Sequence, residues 1–117
     1  MKISDIQNIL NAQLLTPAAD LAHEVHDACG SDMMSDVLAY VKDQGVLLTG
    51  LNNNQVVRTA DMMDMVCIVF VRGKKPDAEL LKMAEARGIA VLTTAMPMFT
   101  ACGLLYEKGL RGGEARV

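Results

Sequence analysis

Ile68-Val69-Phe70-Val71-Arg72-Gly73-Lys74-Lys75-Pro76-Asp77 is the stretch on which the fold turns. It continues an unbroken apolar run from Val66 and Cys67, breaks at a basic residue and a glycine, then reaches a proline and an aspartate suited to a helix start. A strand with one wet face alternates apolar and polar residues, whereas a strand covered on both faces need not. Two other runs share this grammar. Val46-Leu47-Leu48 passes into Thr49-Gly50, and Ile89-Ala90-Val91-Leu92 passes into Thr93-Thr94, with helix-like segments between the three. The pattern predicts a parallel sheet covered on both faces, and a binding site where its strands end.

Outward from these runs, Ser4-x-x-Gln7 has the form of a capping box, and Ile6, Ile9 and Leu10 make an apolar stripe, so a short helix opens the chain. Leu14-Leu15 reads as a brief strand before Thr16-Pro17, and residues 22–29 as a further, poorly apolar strand. Gly30-Ser31-Asp32 opens a helix in which Met33, Met34, Val37, Leu38 and Val41 form a buried stripe, ended by Gln44-Gly45. Asn52-Asn53-Asn54 supplies cap residues for a helix with Val56, Ala60 and Met63 on one face. Lys75-Pro76-Asp77 starts another, its proline allowed in the first turn, with Leu80, Leu81 and Ala84 inward and Arg87-Gly88 as its stop. A last helix follows Pro97, with Phe99, Cys102 and Tyr106 on a shared side. The expected architecture is an α/β three-layer sandwich with a mostly parallel sheet of four or five strands flanked by helices. It forms one domain over residues 1–108, followed by a flexible tail at 109–117.

With 117 residues, half of them hydrophobic and about a fifth charged, the chain is expected to bury a real core, and disorder is excluded. A net charge of −3 argues against nucleic acid as a partner. No apolar run approaches the roughly 18 residues of a membrane span, and residues 1–15 lack the regions of a signal peptide, so a cytoplasmic location is expected. Cys29, Cys67 and Cys102 are widely spaced, and Cys67 reads as a small core residue. Nine methionines against two Phe, two Tyr and no Trp, in so small and apolar a chain, predict a homodimer or larger assembly.

Gly30-Ser31-Asp32-Met33-Met34-Ser35-Asp36-Val37, Val46 to Gly50, Ile68 to Asp77, and Gly88-Ile89-Ala90-Val91-Leu92 with Thr93-Thr94 follow one another with short gaps over nearly the whole chain. In this the chain resembles the DRTGG domain family. The resemblance implies a small α/β regulatory or ligand-sensing module with no established chemistry. Similar domains stand alone, regulate phosphotransacetylases, sit beside CBS domains, or look like the N-terminal domain of HPr kinase/phosphorylase. Stand-alone members occur in iron-only hydrogenase and serine-kinase contexts, which implies regulation. The family's Asp-Arg-Thr-Gly-Gly is expected in the loop after Thr49-Gly50, where this chain reads Leu51-Asn52-Asn53-Asn54-Gln55. A ligand role carried by those charged residues does not transfer.

The strand-end rule collects a candidate ligand-binding set: Ser31, Asp32, Thr49, Gly50, Asn52, Arg72, Gly73, Thr93 and Thr94. Each has two readings. Ser31 and Asp32 either cap a helix or face a ligand, and with Asp36 nearby they favour a neutral, cationic or metal-bridged ligand over a bare anion. Thr49-Gly50, Asn52 and Thr93-Thr94 either line a crevice or serve as turn chemistry. Arg72-Gly73-Lys74-Lys75 is either a solvated loop or one wall of a phosphate site facing Thr93-Thr94. Neither G-x-G-x-x-G nor G-x-x-x-x-G-K-[ST] occurs.

His23 and His26, with Asp20, Glu24, Asp27 and Cys29, imitate a metal set. On a strand, however, the two histidines diverge, so no metal is expected. Cys102 has no histidine near it in sequence, and no catalytic set is assembled, so neither an enzyme nor a cofactor is expected. The first functional reading is a non-catalytic regulatory module that binds a small molecule. A protein-interaction domain docking a partner through Met-rich surface is the second. A small enzyme is the third, and it needs Asp32 or Asp36 brought within reach of His26.

Overall fold

The three apolar runs pair side by side. In the computed structural model, which describes residues 1–40 and 42–113, β3 (Val46–Thr49), β4 (Cys67–Phe70) and β5 (Ala90–Thr93) lie parallel and are buried at every residue. Burial on both faces is why their sequences do not alternate. β2 (Ala28–Gly30) joins β3 in parallel, and β1 (Gln13–Leu14) pairs antiparallel with β5, giving the order β1-β5-β4-β3-β2. The chain is therefore an α/β sandwich around a mostly parallel five-stranded sheet.

Two cores lie on opposite faces of this sheet. From α1 (Ile3–Ile9) and α5 (Met98–Glu107), Ile6 and Leu105 pack with Leu48, Val69 and Leu92. From α2 (Met34–Val37), α3 (Asn54–Met62) and α4 (Ala78–Ala86), Val37, Val56 and Leu80 pack with Leu47, Ile68 and Val91. Neighbours in one strand thus serve different cores, as the pleat dictates. Asn53 Oδ1 accepts from the Gln55 N–H at 3.0 Å and Asp77 Oδ1 from the Leu80 N–H at 2.9 Å, closing the starts of α3 and α4. Gly88, at φ +70°, follows the end of α4.

Several elements differ from their expected bounds. Helix α1 starts after Lys2, whose N–H donates to Asp5 Oδ2 at 2.8 Å, so Ser4 falls inside the first turn and does not cap it. Of residues 22–29 only Ala28 and Cys29 enter β2. The polar residues before them are taken up by the loop ahead of β3, where His23 Nε2 lies 2.9 Å from Gln44 Oε1. The helix expected after Asp32 stops at Val37, with Met34 and Val37 buried while Met33 and Leu38 are exposed. Its end is closed by Lys42, a buried lysine whose ammonium donates to the Val37 and Tyr40 carbonyls at 2.7 Å each. Gln44-Gly45 consequently belongs to the following loop, and Val41 lies outside the described residues.

Pro76 precedes the α4 cap and is not part of the first turn. On α5 the inward residues are Ala101 and Leu105, whereas Phe99 is 90% and Tyr106 60% exposed. Leu110 is buried, and the Arg111 carbonyl accepts from the Ala28 N–H at 2.9 Å. Residues 114–117 lie outside the described residues. Among the described residues no helix is long and apolar enough to cross a membrane.

Candidate functional site

Ladder register aligns the downstream ends of the parallel strands. Gly30 is level with Leu48, Thr49 with Phe70, and Phe70 with Thr93. The residues that follow, Ser31-Asp32, Gly50, Arg72-Gly73 and Thr94, fall along one edge of the sheet. Because β2 to β5 succeed one another across the sheet without reversing, the tips form a row of loops and not the split of a switch point.

Asp32 follows the edge strand β2 and reaches inward across that row. Its Oδ1 accepts from the Gly50 N–H at 2.6 Å and from the Thr49 hydroxyl at 3.2 Å, and its Oδ2 stands 3.8 Å from Arg72 Nη2. Arg72 and Gly73 both have left-handed backbone, at φ +58° and +69°. Their N–H groups donate to the Met96 and Thr94 carbonyls at 2.9 and 2.8 Å, which turns the chain after β4. The Arg72 guanidinium then lies against Gly50, where a Cβ would collide with it. Asp32 and Arg72 are about half exposed, so their attraction contributes at most about 1 kcal/mol. The hydrogen bonds to Gly50 and Thr49 do most of the holding.

The remaining candidates are engaged locally. Ser31 Oγ accepts from the Met33 N–H at 3.0 Å, forming a turn into α2. Asn52 Nδ2 donates to the Lys75 carbonyl at 2.9 Å and Asn54 Nδ2 to Glu79 Oε1 at 3.2 Å, while Asn53 caps α3. The three asparagines in the loop where a charged motif was expected therefore organise the α3 and α4 starts. The Thr93 hydroxyl donates to the Lys74 carbonyl and the buried Thr94 hydroxyl to the Leu10 carbonyl, both at 2.7 Å. Asp32, Arg72, Lys74 and Lys75 face water along the row, and Asp36 is exposed in the first turn of α2 beyond Asp32.

The histidines lie at the other end of the sheet. His26 Nδ1 is 3.0 Å from Asp43 Oδ2, and β2 separates His26 from Asp32. Among the described residues the carboxylate hydrogen-bonded to His26 is that of Asp43, and not that of Asp32 or Asp36. Among the described residues no group of three or more His, Cys, Asp or Glu is placed to hold a metal. Burial pushes the Cys29 and Cys102 thiols above their ordinary pKa, which keeps them protonated and poor nucleophiles. Both border a cavity of about 120 Å³ beside Gly30, shared with Tyr106 and Leu110. Sequence reasoning missed two features: the helix-closing role of Lys42, and the bond that the Gly50 N–H donates to Asp32. The bond spans eighteen residues and exists only through the β2–β3 register, so no local pattern announces it.

A family model described as DRTGG domain matches residues 5–107. Among solved structures, the fold is similar to the CBS and DRTGG domains of the regulatory region of Clostridium perfringens pyrophosphatase, complexed with its activator diadenosine tetraphosphate. The TM-score is 0.73 at 17% identity, a likeness of fold, covering 89% of this chain. This chain spans somewhat less than half of that one, 45%. No curated protein matches the chain.

Proposed function

Because the chain belongs to the DRTGG domain family, we propose that it is a non-catalytic regulatory module that senses a small molecule at its row of strand tips. The sensing surface comprises Ser31, Asp32, Thr49, Gly50, Asn52, Arg72, Gly73, Thr93 and Thr94, with the two last threonines acting as loop supports. The observation that carries this reading is the cluster of Asp32, Thr49, Gly50 and Arg72. Half-exposed charged groups from the ends of separate strands meet there, so one ligand touches several loops together. The fold neighbour is a regulatory region complexed with a nucleotide activator, which supports a nucleotide-like ligand class.

The module acts in the cytoplasm as a homodimer. Support comes from Phe99, Met33 and Tyr106, large apolar side chains that stand exposed. A ligand regulates such an assembly only by binding two of its arrangements unequally. Thermal-shift titration with nucleotides, diadenosine tetraphosphate and acyl phosphates tests the reading. A ligand at ten times its Kd adds about 1.4 kcal/mol, a rise of several degrees in Tm. No stabilisation by any of these at millimolar levels overturns it. Light scattering at micromolar concentration is expected to return the dimer mass, and a monomer mass removes the dimer.

The exposure of Phe99 also favours a second reading, an interaction domain for a partner in a hydrogenase or kinase system. Co-purification of a stable protein partner without a small ligand selects that reading instead.

A further inference from the structure

We infer that the strand-tip row is an oxyanion site whose place is held by the chain's own Asp32 carboxylate, so that a phosphate-bearing ligand binds by displacing Asp32. The inference deepens the sensor reading above and rests on it for the location. A carboxylate and a phosphate offer the same thing to a protein: charged oxygens that accept hydrogen bonds. The donors around Asp32 are of three kinds that recognise phosphate. They are a backbone N–H on a glycine (2.6 Å), a threonine hydroxyl (3.2 Å) and a guanidinium (3.8 Å), drawn from the ends of β3 and β4. Gly50 has no side chain to block approach, and the guanidinium already lies against it. Against the negative charge of Asp36, exposed in the first turn of α2, stand the Arg72 guanidinium and the exposed Lys74 and Lys75 on the same loop, so the cations outnumber the carboxylate left once Asp32 is displaced.

Asp32 is also held in a way that lets it leave. Its carboxylate is half exposed, so departure forfeits little burial, and an incoming oxyanion re-forms the same three contacts. It sits on a short link between the three-residue β2 and the four-residue α2. A tethered carboxylate competes with an effective concentration on the order of millimolar. A free oxyanion must therefore reach that range, unless the rest of its molecule adds contacts. Asp32 stands on the link that leads into α2, so its contacts with Gly50, Thr49 and Arg72 tie that link to the tips of β3 and β4, and displacement loosens the tie.

The test titrates inorganic pyrophosphate into the full chain and into Asp32→Asn and Arg72→Gln variants, by calorimetry and by following the Gly50 amide resonance. Asp32→Asn is expected to bind pyrophosphate at least tenfold more tightly than the wild-type chain, and Arg72→Gln to lose binding. Unchanged or weaker binding by Asp32→Asn overturns the inference, as does the absence of binding by every form. Where Asp32→Asn fails to fold, Asp32→Ser replaces it. The unmodified chain then decides as well: a saturable shift of the Gly50 amide supports the site, and none overturns it. Pyrophosphate binding in the expected order of affinities, with no response of the wild-type chain to nucleotides, diadenosine tetraphosphate or acyl phosphates, sustains the oxyanion site while removing the sensor. A nucleotide response in the wild-type chain that neither variant alters sustains the sensor while removing the oxyanion site.

Discussion

The Sγ of Cys102 occupies the position where a side chain on Gly30 would begin: a Cβ there would stand 2.5 Å from that sulfur and 3.2 Å from Met98 Sδ. Glycine is required at the end of β2 because α5 packs onto it. Gly30→Ala is expected to cost about 1–3 kcal/mol by overpacking. Adding Cys102→Ala should recover much of that loss, since the double variant makes room for the methyl group. Chemical denaturation of the single and double variants measures the coupling, and strict additivity would contradict the packing account.

Asp27 and Asp43 should respond to acid with opposite signs. Asp27 Oδ1 is buried against Gly45 with no hydrogen-bond partner among the described residues, and burial pushes this carboxyl above its ordinary value. The folded chain then takes up the proton before the unfolded one does. The contribution of Asp27 is fully present below the ordinary pKa of 3.8 and is lost as pH rises through the raised value. The stability advantage of the wild-type chain over Asp27→Asn should therefore grow as pH falls from about 6 to about 4.

Asp43, bonded to His26, is held below 3.8, so its contribution is present above that value and lost as pH falls through the lowered one. The advantage over Asp43→Asn should shrink between about pH 5 and about pH 3. Urea midpoints across this range, in which the two gaps move the same way, would refute the pair of assignments.

The asparagine loop gives a simpler expectation. Asn53→Ala removes the acceptor for the Gln55 N–H, and Asp77→Ala the acceptor for the Leu80 N–H. Each should lower stability by about 1 kcal/mol. Asn52→Ala, which loses only an exposed tie to the Lys75 carbonyl, should cost about half of that or less. Thermal unfolding of the three variants ranks them.

Thr94 tests whether a strand-tip hydroxyl can be wholly structural. Its side chain is buried and donates to the Leu10 carbonyl, anchoring the turn after α1 to the end of β5. Thr94→Val leaves that carbonyl without its donor and should cost about 1–3 kcal/mol. A denaturation midpoint indistinguishable from wild type would show the bond to be dispensable.

The central sheet was legible because burial on both faces writes itself locally: Val46 to Leu48, Cys67 to Phe70 and Ala90 to Leu92 need only their own composition to read as strands. The start of α3 within Asn52-Asn53-Asn54 was equally local, as was the start of α4 near Pro76, although its cap is Asp77 and the proline lies before it. Residues 22–29 misled because β2 is made by its pairing with β3 and not by its own alternation. The helix after Asp32 misled because Met33 and Leu38 continue the apolar rhythm while pointing to water. The rule that parallel strands end together brought Asp32, Thr49, Gly50 and Arg72 to one edge of the sheet, and there they touch. The commitment of the Thr93 and Thr94 hydroxyls to the Lys74 and Leu10 carbonyls came from contacts across the fold, which spacing along the chain does not encode.

The sheet's outermost strands are only two and three residues long, and Arg111 already takes the Ala28 N–H on the β2 side. A flat, open border is what invites a neighbouring molecule to zip on and begin a fibril. With both borders this brief, crowded copies can meet through their side chains but gain little from extending the ladder, and the chain should tolerate concentration without growing amyloid.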